Sequence, residues 1–209
     1  MIRGFIPKAF AGLTAFVAWS ALGIQLVLII QKMTGEGSSP WQAIWRFFGF
    51  FTILTNCAVA VVATAMAVWP KSILTSANVR LATATAIFIV GLVYSIALRA
   101  VWQPTGWQAA VDHGLHDATP VLFLLTWFFS THGQLQWRSA FSAVVPAFVY
   151  FIYVLIRGAA DGWYAYWFLN PTSLPPAHMA INVAILLATF LFAAFAFIWL
   201  DKWQARRNR

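Results

Sequence analysis

Residues 110–130 read AVDHGLHDATPVLFLLTWFFS, and the helix count of the whole chain turns on them. The uncharged part, Ala118 to Ser130, is only 13 residues long, whereas an α-helix needs about 20 to cross a hydrocarbon core. To span, this segment must recruit upstream residues from about Ala110. That extension carries Asp112, His113, His116 and Asp117 to membrane depth. With it, the sequence predicts an all-α, polytopic bundle of six transmembrane helices.

Working outward, five other runs are free or nearly free of charge: Ala9 to Ile30, Phe47 to Trp69, Leu81 to Leu98, Ala140 to Ile156, and Ala177 to Leu200. The six spans fall at about residues 9–31, 46–69, 80–101, 110–132, 138–158 and 177–201, so residues 1–209 form one transmembrane domain. The composition agrees: 62% of residues are hydrophobic and 9% charged, against roughly 25% charged in a water-soluble domain. Ahead of the first run stand Arg3 and Lys8, as in a signal peptide. However, 22 uncharged residues exceed a secretory core, and Gln31-Lys32-Met33 offers no small-residue cleavage site, so this is read as an uncleaved first helix. Pro120 and Pro146 fall inside spans, where they are expected to kink the helix.

Orientation follows from the 13 basic residues. Nine lie at the N-terminus, between spans two and three, between four and five, and in the tail; the other four are Lys32, Arg46, Arg99 and Arg157. The excess places both termini in the cytoplasm. Trp41, Trp45, Trp102, Trp107 and Trp163 gather on the opposite side as an interfacial aromatic belt. The net charge of +8 is therefore topological, and no nucleic-acid partner is expected. The expected location is an integral membrane position, in the cytoplasmic membrane if the chain is bacterial. Cys57 stands alone inside an apolar run, so no internal disulfide forms.

Ionisable residues inside a membrane mark functional sites by default, because burying them is costly. Here they share one depth. Thr52, seven residues past Trp45, lies roughly 10 Å below the outer interface at 1.5 Å per residue. His113 and His116 enter from the same side, Arg99 closes span three, Arg157 and Asp161 follow span five, and His178 and Asn182 begin span six. One polar cavity opening outward accounts for all of them. His113 and His116 are three apart, as are Thr52 and Thr55, while Thr52 and Asn56 are four apart, so each set shares a helix face.

Blander roles compete. Thr64, Thr83, Thr85 and Thr189 fit hydroxyls satisfied by their own helix backbone. His132 fits a headgroup-level side chain, and Arg46, Arg99 and Arg157 fit arginines that snorkel to lipid phosphates. Among chemistries, zinc wants three or four ligands at defined spacing, and no His-Glu-x-x-His element is present. Two histidines on one helix do not clamp both faces of a haem. No metal or cofactor is expected. A hydroxyl beside a base fits best: Thr52 or Thr55 with His116, ahead of Cys57.

Three stretches carry a family resemblance. Trp45-Arg46-Phe47 followed by Phe50-Phe51-Thr52, then Asp112-His113-Gly114-Leu115-His116, then Gly162-Trp163-Tyr164-Ala165-Tyr166-Trp167-Phe168-Leu169, resemble elements of the androgen-induced-gene-like membrane proteins. Animal members are intramembrane threonine hydrolases acting on fatty acid esters of hydroxy fatty acids, and the likeness is to a bacterial branch. The resemblance implies Thr52 as nucleophile, His116 as general base, and an acyl-threonine intermediate in hydrolysis of a lipid ester. Asp112 stands where the family has Asn, Asp117 where it has Thr, and Trp167 where it has Pro. The longer interval from Arg46 to Thr52 keeps Thr55 admissible, with Thr52 preferred because it directly follows two aromatics. Asp112 or Asp117 would orient the histidine, and an arginine or Asn56 would stabilise the oxyanion. The alternative is a non-enzymatic protein that binds or moves a lipid or small amphiphile through the same cavity, with Arg99, Arg157 and the acids holding a headgroup. A metal- or haem-dependent oxidoreductase is the third reading. The expected partners are membrane lipids and an amphiphilic substrate.

Overall fold

The computed structural model describes residues 2–207, with side chains from residue 7 onward; the side chain of Arg3 and all of Arg209 lie outside that range. The described residues are helical with no strand. In order they form α1 (Ile2–Gly35), α2 (Pro40–Phe47), α3 (Phe51–Val68), α4 (Ala77–Val93), α5 (Gly106–His113), α6 (Thr119–Phe128), α7 (Ser139–Asp161) and α8 (Pro176–Arg207). A π-helical turn, Tyr94–Leu98, extends α4, and another, Gly114–Ala118, joins α5 to α6.

Five stretches are long and apolar enough to cross a membrane: Pro7–Gly35, Phe51–Val68, Ala77–Leu98, Ser139–Asp161 and Pro176–Arg207. The protein is thus an α-helical membrane protein. Phe16, Ile96, Phe141 and Phe192 leave 68–77% of their surface exposed on the outside of the bundle, which lipid accommodates and water does not. The stretch Gly106–Phe128 runs antiparallel to α1. Gln108 donates to Gln25 Oε1 at 2.8 Å near one end, and the hydroxyls of Thr14 and Thr126 meet at 3.0 Å near the other. The core where α1, α3, α4 and α6 meet is rich in small side chains, among them Ala15, Ala18, Ala60, Ala63 and Ala84. Small residues bring helix axes close, and packing of this kind holds bundles together in lipid.

The second span is not the single helix expected over 46–69. It breaks at Phe48–Phe50, between α2 and α3. α2 begins with a capping box: Ser39 Oγ accepts from the Gln42 amide and Gln42 Oε1 from the Ser39 amide. It ends where α7 takes over its carbonyls. Tyr153 and Tyr150 donate to Phe48 O and Gly49 O at 3.1 and 2.9 Å, and the Arg157 guanidinium donates to Trp45 O. Gly49 is required at the break, since a Cβ there would sit 2.5 Å from the Trp163 ring and 3.1 Å from Arg157 Nη1.

Other boundaries also move. α7 continues to Asp161, so Arg157 and Asp161 belong to its last turns rather than following it, and Arg157 is buried. α8 carries the basic tail as helix to Arg207. Pro120 does not kink a regular helix. It lies in the first turn of α6 directly after the π turn. Having no N–H, it cannot bond the His116 carbonyl, and the ladder instead runs from the Thr119 N–H to Gly114 O.

Candidate active site

The break before α3 determines what Thr52 can do. Thr52 is the second residue of α3, and Phe50 at the cap supplies no side-chain bond. The first intrahelical bond is Leu54 N–H to Phe50 O, so the amides of Phe51, Thr52 and Ile53 have no helical acceptor, as at any helix start. Their aligned dipoles give this end partial positive charge. The Tyr166 phenol, from the segment between α7 and α8, lines the same cavity as Phe51 and Thr52. Burial pushes that phenol's pKa up, so Tyr166 stays a protonated, neutral group there.

His116 lies within the π turn. Its Nδ1 is 3.1 Å from Asp112 O and 3.2 Å from Asp112 Oδ1. Both are acceptors, so Nδ1 carries the proton and Nε2 keeps its lone pair. Asp112 is buried and takes a further hydrogen bond from the Tyr94 hydroxyl. The Tyr94 ring stacks on the imidazole, with centroids 4.1 Å apart and planes within 12°. Two π turns thus meet: one presents Tyr94, the other His116. Gly91 permits the approach, because a Cβ there would lie 3.3 Å from His116 O and 3.4 Å from Pro120.

α3 packs directly against this turn. Asn56, fully buried, donates from Nδ2 to Thr52 O at 2.8 Å and to Leu115 O at 3.2 Å, tying the backbones that carry Thr52 and His116. Thr52, His116, Tyr94, Tyr150 and Tyr166 line one cavity of about 80 Å³ whose other walls are apolar side chains of α3, α4 and its π turn, α7, the segment before α8, and α8. A recess of about 160 Å³ shares Val93, Phe168 and Leu186 with it and reaches the outer face of α8 at Ile185. Thr55 is buried one turn deeper and does not line the cavity, nor does Cys57.

The remaining sequence candidates go elsewhere. His113 does not share the cavity face of His116. It points outward, 64% exposed, and pairs with Asp117 at 2.7 Å. Asp117 also holds Arg99, whose guanidinium lies 4.8 Å from the Tyr94 ring centroid. Asp117 is therefore committed to His113 and Arg99, and Asp112 is the acid on His116. Arg46 stacks on Trp163 and Arg157 on Trp45, each at 4.0 Å. Arg157 donates to Tyr153 Oη at 2.9 Å and approaches Asp161 at 4.0 Å, while Asp161 accepts from Trp45 Nε1 at 2.6 Å. These groups lock α2 to α7 and none lines the cavity. Both carbonyl bonds of Asn56 leave its amide no proton for an oxyanion. Asn182 donates to Phe168 O at 3.0 Å and borders the outer recess.

His132 is not a solvated headgroup-level residue. Its side chain is buried, with Nδ1 3.1 Å from Asp201 Oδ1 and Nε2 3.0 Å from Phe128 O. No cluster of three or more potential metal ligands occurs among the described residues. Sequence reasoning missed Tyr94 and Tyr166 as site residues. Tyr94 carries no motif at all; Tyr166 falls in the third family-like stretch and was open to notice there. No protein-family model, curated protein or solved structure matches the chain.

Proposed function

We propose that the protein is an intramembrane hydrolase of lipid esters, a six-span member of the androgen-induced-gene-like group with both termini cytoplasmic. The observation that carries this reading is that Thr52 and His116 line one apolar cavity while Asp112 holds the far nitrogen of the imidazole. A hydroxyl, a base and an orienting carboxylate in that order are the parts of an acyl-transfer site. The sequence motifs around Thr52, His116 and Tyr166 support the same assignment.

In this mechanism His116 Nε2 removes the Thr52 proton as Oγ1 attacks the ester carbonyl carbon. The tetrahedral oxyanion is met by the amides at the start of α3 and by the Tyr166 hydroxyl, which needs only to turn its donor toward it. Collapse breaks the bond to the alkoxy oxygen, and the imidazolium returns its proton to the departing alcohol. Water, deprotonated by His116, then attacks the acyl carbon; the bond to Thr52 Oγ1 breaks, the imidazolium returns its proton to Oγ1, and the carboxylic acid is released. Asp112 stabilises the imidazolium at both stages. The acyl chain, too long for the cavity itself, lies through the recess at Val93, Phe168 and Leu186 toward lipid.

Fluorophosphonate labelling and ester turnover by purified protein test this. Both should vanish in Thr52→Ala and in His116→Ala and persist in Thr55→Ala. Labelling that survives both of the first two substitutions removes the assignment.

A further inference from the structure

The end of the bundle away from Thr52 holds a second cavity, of about 330 Å³, where the start of α1, the end of α3, the start of α4 and the segment after α6 converge. Its lining includes Lys8, Met66, Thr75, Arg80, Ser130 and Thr131. Met66 is fourteen residues along α3 from Thr52, about 21 Å at 1.5 Å per residue. The two sites are distinct.

Among the described residues, both charged side chains lining this cavity are cations and no carboxylate lines it. Arg80 is 6% exposed. Its Nη1 donates to Ser130 Oγ at 2.6 Å and its Nη2 to Thr131 O at 3.1 Å, both neutral acceptors, while its Nε has no partner. Among the described residues no acid lies within 4.0 Å of it. Asp201, the acid that acts on it through space, is engaged by His132 Nδ1 at 3.1 Å and by the Leu135 amide at 3.3 Å. A buried guanidinium without a counter-ion is costly. Here it faces a polar space that a water, with a share of about 30 Å³, would fill many times over.

We infer that this cavity binds a phosphate group, held by the Arg80 guanidinium and by Lys8. The planar guanidinium presents donors in the geometry that phosphate oxygens accept. Lys8, exposed at the rim, adds a mobile point charge, and Thr131 lines the same space, whereas the Ser130 hydroxyl is spent on Trp127 O and Arg80. The phosphate belongs either to a phospholipid headgroup at the membrane interface or to a free anion. The site is independent of the ester-hydrolase reading and stands or falls without it.

The test uses the full chain in detergent, with three probes: phosphatidylglycerol, diacylglycerol with the same acyl chains, and inorganic phosphate. Retention of each lipid is read by native mass spectrometry, and phosphate by a thermal shift. Preferential retention of phosphatidylglycerol over diacylglycerol identifies a headgroup site, and a shift with inorganic phosphate identifies a free-anion site. Either supports the proposal if Lys8→Gln weakens it about tenfold, the effect of one charge-assisted contact. Arg80→Gln should weaken it further; because Arg80 also ties α4 to the segment after α6, Lys8→Gln, which breaks no hydrogen bond among the described residues, decides the matter if Arg80→Gln fails to fold. Equal retention of both lipids with no phosphate shift overturns the proposal, as does wild-type binding in Lys8→Gln.

Discussion

Replacing Asp112 by Asn separates the charge of this residue from its shape. In the structure His116 Nδ1 lies 3.2 Å from the carboxylate Oδ1 and 3.1 Å from the main-chain oxygen of the same residue. The backbone acceptor survives the substitution, so the imidazole keeps its tautomer and place. What disappears is the negative charge beside the imidazolium that forms during acylation. Two unit charges 3.2 Å apart interact by about 5 kcal/mol at an effective dielectric near 20, and each 1.4 kcal/mol is a factor of ten in rate, so kcat should fall by roughly three to four orders of magnitude. KM should change little, because the charge pair exists only in the transition state and intermediates. The assay is turnover of a long-chain ester by protein in lipid nanodiscs, with the thermal midpoint checked to stay near wild type. Turnover of Asp112→Asn within about threefold of wild type would refute the reasoning, since it would mean that no charge develops on His116.

Tyr94→Phe keeps the ring stacked on His116 but removes the donor to Asp112; kcat should drop about tenfold, the worth of one hydrogen bond to a charged group, with KM steady in the same assay. Gly49→Ala places a methyl 2.5 Å from Trp163 and 3.0 Å from Arg46 O, and should lower stability by about 1–3 kcal/mol as overpacking does, read as a lower thermal midpoint in detergent. Arg157→Met leaves Trp45 O and Tyr153 without their charged donor and should cost about 2 kcal/mol by the same measurement. An unchanged midpoint in that variant would show that α2 is held to α7 by other contacts.

Hydropathy made the spanning helices legible, because runs of twenty apolar residues have few other homes. It could not show the break at Phe48–Phe50, where tyrosines and an arginine roughly a hundred residues away accept the role of ending α2. The pairing of His116 with Asp112 and of His113 with Asp117 is spaced at four residues and was open to reading. The three-residue spacing of the two histidines suggested a shared face instead, and the π turn between Gly114 and Ala118 sends them apart. Pro120, four residues after His116, is the local cause of that turn. Tyr94 was illegible because only tertiary packing through Gly91 brings it to the imidazole. Similarly, His132 and Asp201 are 69 residues apart, and their pairing has no sequence signal.

The most direct measurement of the central claim is the site of the covalent intermediate. Protein incubated briefly with a long-chain ester, quenched in acid and digested should yield one acylated peptide, with the added mass on Thr52. Deacylation blocked in His116→Gln is not needed for this, since rapid quenching traps the adduct from wild type. Acyl mass on Thr52 that is absent from Thr52→Ala is the predicted result. Turnover with no adduct, or an adduct on Thr55 or Cys57 that persists in Thr52→Ala, would contradict the account.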